Sequence, residues 1–165
     1  MRAKTFRGGI HLHYHKEATA SKSIVELPEP SQVTLPVQQH LGAPAEVCVR
    51  VGDQVKIGDV VAVAKGFVSA PVHASIPGKV IAISDLPHPI GKNITAVTIQ
   101  NDQTGATSFR APSQLDELSA VDIKELMQQI GLVGMGGAGF PTHVKYHPPE
   151  GKKIETVILN GAECE

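Results

Sequence analysis

Four short runs rich in Val and Ile place the strongest constraint on how the middle of this sequence can fold. They read EVCVRV, DVVAVA, GKVIAI and ITAVTIQ, lie between residues 45 and 100, and are separated by Gly, Pro and Asp. Short strands with turn residues between them predict a small all-β barrel or sandwich. Aromatic residues make up only 4% of the chain and Trp is absent. The core must therefore be built from small aliphatic side chains, which suit β structure.

The β-rich region has recognisable boundaries and a weak internal repeat. Residues 1–36 are polar and contain several prolines, which predicts an extended N-terminal segment and linker. Residues 37–100 form the predicted β module, and residues 101–118 read as a connecting loop. Within the module the pair Ala43 and Pro44 recurs as Ala70 and Pro71. Such a repeat predicts two interlocked halves, neither of which buries its apolar face alone.

The last part of the chain, residues 119–165, predicts the beginning of an α/β domain. The stretch SAVDIKELMQQIG has apolar residues spaced for one helical face: Ile123, Leu126, Met127 and Ile130. Ser119 is placed as the N-cap, with Asp122 three residues later in a variant of the capping box. Gly131 is placed as the residue that ends the helix.

A glycine-rich loop, a second short helix and a strand are predicted to follow. Pro141 suits the first position of the short helix, and residues 156–159 read as a buried strand that leads into a turn at Asn160 and Gly161. These few elements do not complete an α/β domain. We therefore expect the chain to be an N-terminal piece of a longer protein, or a naturally shortened relative of one.

Charge and cysteine content exclude several classes of function. Fifteen basic and sixteen acidic residues nearly cancel, which argues against a nucleic-acid or anionic-membrane surface. The sequence has no apolar run long enough to span a bilayer and no secretory signal at its start. Cys48 and Cys164 do not make a disulfide framework, which favours a reduced, cytoplasmic setting. Cys48 is expected to be a small buried hydrophobic residue.

The glycine loop, GLVGMGGAGFPTHVKY, contains five glycines within nine residues. Bare backbone N–H groups just before a helix suit a phosphate, and a flat ring can lie against such a main chain. The loop matches neither the dinucleotide fingerprint after a strand nor the P-loop pattern. By itself it therefore leaves two alternatives, a cofactor site and a tight packing turn. Near the end, NGAECE places Glu163 and Glu165 where open α/β sheets bind ligands, although a solvated acidic turn is the simpler interpretation.

These segments resemble a known family. VGMGGAGFPTHVK and NGAECE are similar to the flavin-binding segments of the RnfC subunit of the Rnf electron-transport complex and, more distantly, of the flavin-bearing subunit of respiratory complex I. The start, FRGGIHLHYHKE, also resembles the N-terminus of RnfC subunits. The resemblance covers essentially the whole chain and the order of its parts, with the β module first and the glycine loop second.

The resemblance implies a non-covalently bound FMN that takes hydride from NADH. Phe140 would stack on the nicotinamide nucleotide, and Asn160 would hydrogen-bond the flavin ring edge. Glu163 and Glu165 would lie near the ring and the incoming nucleotide. Thr142 and Lys145 would lie near the FMN phosphate. The FMN itself would be cradled by the loop residues Gly134, Gly136, Gly137, Ala138 and Gly139.

The sequence also departs from the complex I pattern at two positions. Met135 stands where that pattern has Arg, and His143 stands where it has Gly. The first difference removes a charge from the loop, and the second predicts a different exit from it.

The family further implies partners and clusters that this chain does not hold. Its members carry two 4Fe-4S clusters in cysteine-rich segments, and each cluster takes four thiolates, whereas this chain has two cysteines. The other implied partners are the remaining subunits of a membrane electron-transport complex, with this subunit peripheral on the cytoplasmic face. We expect the isolated chain to retain little flavin and to lack NADH dehydrogenase activity. The alternative is a non-catalytic docking module without a complete flavin site.

The β module also resembles a biotinyl/lipoyl-type barrel-sandwich hybrid, through GDQVKIGD and PGKVIAI. In carrier modules of that type a lysine stands in the hairpin between these segments. Here the corresponding position falls near Phe67, and the nearest lysine is Lys65. We therefore expect no attached biotin or lipoate, and expect the module to dock against a neighbouring domain or subunit.

Overall fold

A computed structural model describes residues 15–158 of the chain. Residues 30–154 form one compact unit, and residues 15–29 and 155–158 belong to another. The elements of the first unit are β1 (Gln32–Pro36), β2 (Glu46–Val47), β3 (Gln54–Val55), β4 (Val60–Val63), β5 (Val72–His73), β6 (Gly78–His88), β7 (Lys92–Asn101), a 3₁₀ turn (Leu115–Glu117), α1 (Ala120–Gln129), β8 (Val133–Gly134), β9 (Phe140–Pro141) and α2 (Thr142–Lys145).

Strands β1 to β7 form the barrel, residues 32–101. One sheet has the strand order β1-β7-β6-β3 and the other β2-β4-β5, and every strand pair is antiparallel. The long β6–β7 hairpin runs in register from His88 opposite Lys92 to Gly78 opposite Asn101, with one irregularity between Val80 and Ala82. The predicted barrel-sandwich module is therefore confirmed.

A single apolar cluster fills the barrel and is shared by strands of both sheets. All twelve of its buried residues are Val, Ile or Ala: Val37, Ala45, Val55, Val61, Ala62, Val72, Ala74, Ile76, Val80, Ile94, Val97 and Ile99. The absence of Trp and the scarcity of other aromatics had predicted this composition. Small β-branched side chains pack well between two closely spaced sheets.

The structure of the barrel differs from the sequence prediction at β1 and at Cys48. The predicted linker ends in a strand, because β1 pairs with β7 from Gln32 opposite Gln100 to Pro36 opposite Ala96. Cys48 is exposed rather than buried, because side chains along an extended chain alternate between faces and its neighbours Val47 and Val49 are the ones packed against the core. Its Sγ lies 3.3 Å from the Val60 carbonyl oxygen, and desolvation raises the pKa of its thiol.

The second unit contributes residues 15–29 and 155–158 to the described part of the chain, and none of them lies in a helix or strand. The predicted strand at residues 156–159 is therefore wrong for residues 156–158; Leu159 lies outside the described residues. Val157 and Ile158 are 74% and 86% exposed. A strand forms only when its N–H and C=O groups are paired with a neighbour, and no described strand pairs with this segment.

Candidate functional site

Helix α1 sets the direction in which the chain enters the glycine-rich region. Its N-terminus carries the predicted capping box, in which the Ser119 hydroxyl accepts from the Asp122 N–H at 3.2 Å and the Asp122 carboxylate accepts from the Ser119 N–H at 2.8 Å. The Ser119 hydroxyl and N–H hold the pKa of Asp122 below its usual range. Gly131, at φ +70°, ends the helix as predicted, with its N–H on the Gln128 carbonyl. The helix signals in the sequence are therefore confirmed.

The glycine loop forms a β-hairpin, the glycine hairpin (residues 133–141). Strand β8 pairs with β9, with Val133 opposite Pro141 and Gly134 opposite Phe140, and the Gly139 N–H donates to the Gly134 carbonyl at 3.2 Å. The tip, residues 135–138, is exposed to solvent. Helix α2 follows directly, with Pro141 at its N-cap rather than at the predicted first helical position.

The tip of the hairpin presents bare backbone to open space. Among the described residues, a Cβ atom added to Gly136 or Gly137 would meet nothing within 4 Å, and one added to Gly134 would stand 3.5 Å from the Lys145 Nζ. Met135 beside them is 91% exposed. These three glycines therefore leave room for a ligand against the main chain, next to a cation.

Gly139 has a different role, because its face is already occupied by the barrel. A Cβ atom there would stand 2.9 Å from the Gln39 carbonyl oxygen and 3.1 Å from the His40 Cα, and its φ is +64°. The Leu41 N–H donates to the Gly139 carbonyl at 3.1 Å. Of the two alternatives for the glycine loop, the packing turn describes Gly139, while Gly134, Gly136 and Gly137 stay accessible.

Two of the predicted ligand contacts lie together after the tip. The Lys145 Nζ lies 5.9 Å from the centre of the half-buried Phe140 ring. Since the same Nζ also faces Gly134, the cation, the ring and the bare backbone are neighbours. The Thr142 N–H donates to the Leu132 carbonyl at 2.9 Å, which fixes the start of α2. Asn160, Glu163 and Glu165 lie outside the described residues.

An open cleft of about 540 Å³ separates the hairpin from the barrel. Its volume lies within the range of small-molecule sites, about 300–1,000 Å³. Gln38 lines it, and the buried Oε1 of this residue has no hydrogen-bond partner within residues 15–158. Phe140, Thr142 and Lys145 are not part of the lining, whose residues are Gln38, Gln39, His40, Leu41, His88, Ile90, Val133, Met135, Gly137, Ala138 and Gly139. The predicted residues are thus divided between this cleft and the Lys145 side of the hairpin.

The barrel hairpin between β4 and β5 contacts α2, a feature that sequence reasoning missed. The His143 Nε2 lies 2.8 Å from the Phe67 carbonyl oxygen, and the Phe67 ring meets the His143 and His147 rings edge-on, at centroid distances of 5.8 and 5.1 Å. Lys65, the nearest lysine, lies 3.4 Å from the Glu46 carboxylate instead. The one sequence feature that pointed to this contact was His143, which stands where the complex I pattern has Gly.

A second cavity of about 480 Å³ lies between the barrel and α1, lined in part by His73, Phe109 and Arg110. Burial lowers the pKa of His73. Among residues 15–158 no group of three or more His, Cys, Asp or Glu side chains is placed to hold a metal ion. No helix in this range is both long and apolar enough to cross a membrane.

Comparison with known proteins connects this geometry to a family. A family sequence model described as the RnfC barrel sandwich hybrid domain matches residues 4–104, more than half of the chain. The chain belongs to the RnfC family. A second model, described as the Nuo51 FMN-binding domain, matches residues 127–165, which include the glycine hairpin and α2. The family resemblance drawn from the loop motifs is confirmed.

Curated relatives match almost the whole chain. The C subunit of the Na(+)-translocating ferredoxin:NAD(+) oxidoreductase complex of Acetobacterium woodii is 45% identical over 98% of this chain and 37% of its own length. The corresponding subunit of the proton-translocating complex of Clostridium ljungdahlii is 44% identical, over 98% and 36%. The C subunit of the ion-translocating oxidoreductase complex of Rhodobacter capsulatus is 39% identical, over 98% and 32%. This RnfC chain therefore spans about a third of the length of these relatives.

Proposed function

We propose that this RnfC chain supplies the barrel and the glycine hairpin of an FMN-binding subunit that exchanges hydride with NADH inside a membrane-associated electron-transport complex. The observation that carries the proposal is the open backbone of Gly136 and Gly137 in a hairpin whose Gly134 lies next to the Lys145 Nζ, in a segment that matches an FMN-binding domain. The printed names of two relatives give ferredoxin and NAD(+) as the substrates of their complexes, which supports a nicotinamide nucleotide as a partner here.

The residues present fit an FMN on chemical grounds. A phosphate or a flat ring needs backbone without side chains, and the hairpin tip has free space where Cβ atoms would stand. A phosphate also needs a cation, and Lys145 is an exposed one whose Nζ faces Gly134. Gly134, Gly136, Gly137 and Ala138 line the proposed cradle, and Gly139 ends it where the loop packs on the barrel.

When bound, FMN supplies the chemistry that a protein side chain lacks, the acceptance of a hydride and its release as single electrons. The chain's own residues bind and orient. Lys145 holds the phosphate with Thr142 near it, and Phe140 offers a ring face to the nicotinamide nucleotide. Asn160 is assigned to the flavin ring edge, and Glu163 and Glu165 to the region between the ring and the nucleotide.

Further parts of the proposal concern the rest of the complex. A 4Fe-4S cluster needs four thiolates and this chain has two cysteines. We therefore assign the two clusters to the part of the relatives' length that this chain does not match. We further propose that the barrel docks on other subunits and that the subunit lies peripherally on the cytoplasmic face; the printed names of the relatives as complex subunits support the docking.

The test is a titration of the complete gene product, the whole protein encoded by the gene that contains this chain. Lys145→Ala should weaken FMN binding by about 1–3 kcal/mol, the scale of a charged hydrogen bond, which is about 5- to 150-fold in the dissociation constant. Lys152→Ala, which removes an exposed lysine outside the hairpin, is the matched control. Equal FMN affinities for the two variants would refute the phosphate contact, and a wild-type protein that binds no FMN would refute the proposed function.

A further inference from the structure

We propose that the barrel positions the flavin-binding loop, with Phe67 and His143 as the positioning residues. Phe67 lies in the barrel hairpin between β4 and β5, and His143 lies in α2 directly after the glycine hairpin. The inference rests on the proposed function for its ligand, while the docking of the hairpin on the barrel can be tested without a ligand.

The first contact joins the Phe67 hairpin to α2. The His143 side chain is 3% exposed, and its Nε2 donates to the Phe67 carbonyl at 2.8 Å. A carbonyl only accepts, so the proton is on Nε2. The buried Nδ1 has no hydrogen-bond partner in the part of the chain that the structure describes. A buried ring nitrogen without a partner costs free energy, so this placement is maintained by what the ring does contact, the Phe67 carbonyl and the edge of the Phe67 ring.

The second contact joins the barrel to the end of the glycine hairpin. The segment at Gln39 and His40 lies so close to Gly139 that no side chain fits there, and the Leu41 N–H donates to the Gly139 carbonyl. At the start of the loop, a Cβ atom on Gly131 would stand 3.0 Å from the Pro71 carbonyl oxygen. The barrel therefore touches the chain on both sides of the tip.

His40 ties the two barrel segments together. Its Nε2 accepts from the Ala70 N–H at 3.1 Å, three residues after Phe67, and its Nδ1 donates to the Leu41 carbonyl at 3.1 Å. The buried Ser69 hydroxyl donates to the Ala43 carbonyl at 2.8 Å, which anchors the same hairpin. The Phe67 segment, which contacts α2, and the segment at Gln39 and His40, which contacts Gly139, are therefore hydrogen-bonded to each other within the barrel.

The consequence is that the ends of the loop are held while its tip is free. Gly136 and Gly137 have open space among the described residues, while the pairing of β8 with β9 shapes the hairpin and the barrel contacts on either side fix where that hairpin lies. A binding site whose donors are fixed in advance loses less conformational entropy when it binds. Where lipoyl-type carriers place a mobile lysine, this hairpin instead holds the flavin loop in place.

Hydrogen exchange of the 165-residue chain, resolved by residue, tests the docking. Phe67→Ala keeps the carbonyl and removes both ring contacts, and we expect the Gly139 and Thr142 amides to exchange about 3- to 10-fold faster, the range set by aromatic pair energies. Amides of β6 and β7 should be unchanged. Phe109→Ala is the matched control, since Phe109 is an exposed phenylalanine beside Gly58 of the barrel. Equal exchange at Gly139 and Thr142 in the two variants would overturn the inference, as would an equal rise in β6 and β7.

Two variants at His143 separate positioning from simple loss of stability. His143→Gln retains an N–H donor near the position of Nε2 and should restore wild-type exchange at Thr142, whereas His143→Leu should not. In the complete gene product, Phe67→Ala and His143→Leu should raise the FMN dissociation constant by about 3- to 10-fold, and His143→Gln by less than about twofold. If the wild-type product binds no FMN, the proposed function fails and the exchange data still decide the docking. Wild-type FMN affinity in Phe67→Ala and His143→Leu would overturn the positioning role.

Discussion

Gly139→Ala should destabilise the chain, whereas Gly137→Ala, only two positions away, should leave its stability almost unchanged. At Gly139 a Cβ atom would stand 2.9 Å from a backbone carbonyl oxygen of the barrel, and φ is +64°. At Gly137 the space is open and φ is not positive. The contrast between these two sites combines the positive φ of Gly139 with the close approach of the barrel to that residue.

The magnitudes follow from two separate costs. A non-glycine residue in the left-handed region costs about 1–2 kcal/mol, and overpacking a side chain against a fixed backbone costs about 1–3 kcal/mol. Gly139→Ala should therefore lower the free energy of unfolding by about 2–5 kcal/mol, or the melting temperature by about 4–20 °C at about 2–4 °C per kcal/mol. Gly137→Ala should change the free energy of unfolding by no more than about 0.5 kcal/mol.

The assay is thermal unfolding of the two variants beside the wild-type chain, followed by far-ultraviolet circular dichroism at fixed protein concentration. Similar melting temperatures for all three proteins would refute the docking of Gly139 on the barrel. A large loss in Gly137→Ala would refute the open space at the tip.

Three further predictions concern the nucleotide, the barrel and acid stability. In the complete gene product, Phe140→Ala should raise the NADH dissociation constant about 2- to 12-fold through loss of stacking. The FMN affinity should stay within about twofold of the wild-type value, and both affinities are measured by titration. A variant that loses FMN binding but keeps NADH binding would contradict the role assigned to Phe140. Intact-mass measurement after co-expression with biotin and lipoate ligases should show no added group, because Phe67 stands near the carrier position; any biotinyl or lipoyl mass would show that assignment to be wrong. The Ser108 hydroxyl and the Lys56 N–H hold the pKa of Asp59 below its usual range. The stabilisation from ionised Asp59 should therefore be complete above the ordinary aspartate pKa of about 3.9. It should be lost as the pH falls through the lower pKa of the folded state. Urea unfolding from about pH 6 downward should show a smaller acid loss for Asp59→Asn than for the wild type, and identical profiles would contradict this.

Local signals in the sequence predicted local structure well. The capping box at Ser119 and Asp122 and the stop at Gly131 need only a few neighbouring residues, so the ends of α1 could be placed from the sequence. The Val and Ile runs placed β4, β6 and β7 for the same reason. The composition of the core followed from the lack of large aromatic residues.

Features that depend on distant partners could not be predicted. Strand β1 contains Pro36 and reads as a linker, and only its pairing with β7 makes it a strand. The exposure of Cys48 depends on which face of its segment packs on the core, and that face carries Val47 and Val49. Residues 156–158 have a strand composition, but composition does not supply a strand to pair with.

In the candidate site, too, local features could be predicted from the sequence and contacts with distant residues could not. Five clustered glycines predicted a place where something approaches the main chain closely. Their spacing alone could not say that Gly139 faces the barrel while Gly136 and Gly137 face open space, because the distinction depends on Gln39 and His40, far earlier in the chain. His143 stood out as a departure from the complex I pattern, and its partner Phe67 became identifiable only from the fold.

The flavin content of the complete gene product and of its Gly137→Val variant tests the proposed flavin site most directly. Both proteins are purified without added flavin, and the bound flavin is released with acid, identified by mass and counted against protein. We expect close to one FMN per wild-type chain and almost none in Gly137→Val. After removal of FMN the two proteins should melt at similar temperatures, because the added side chain meets none of the described residues. A wild-type protein without FMN, or a Gly137→Val variant that retains it fully, would contradict the proposed site.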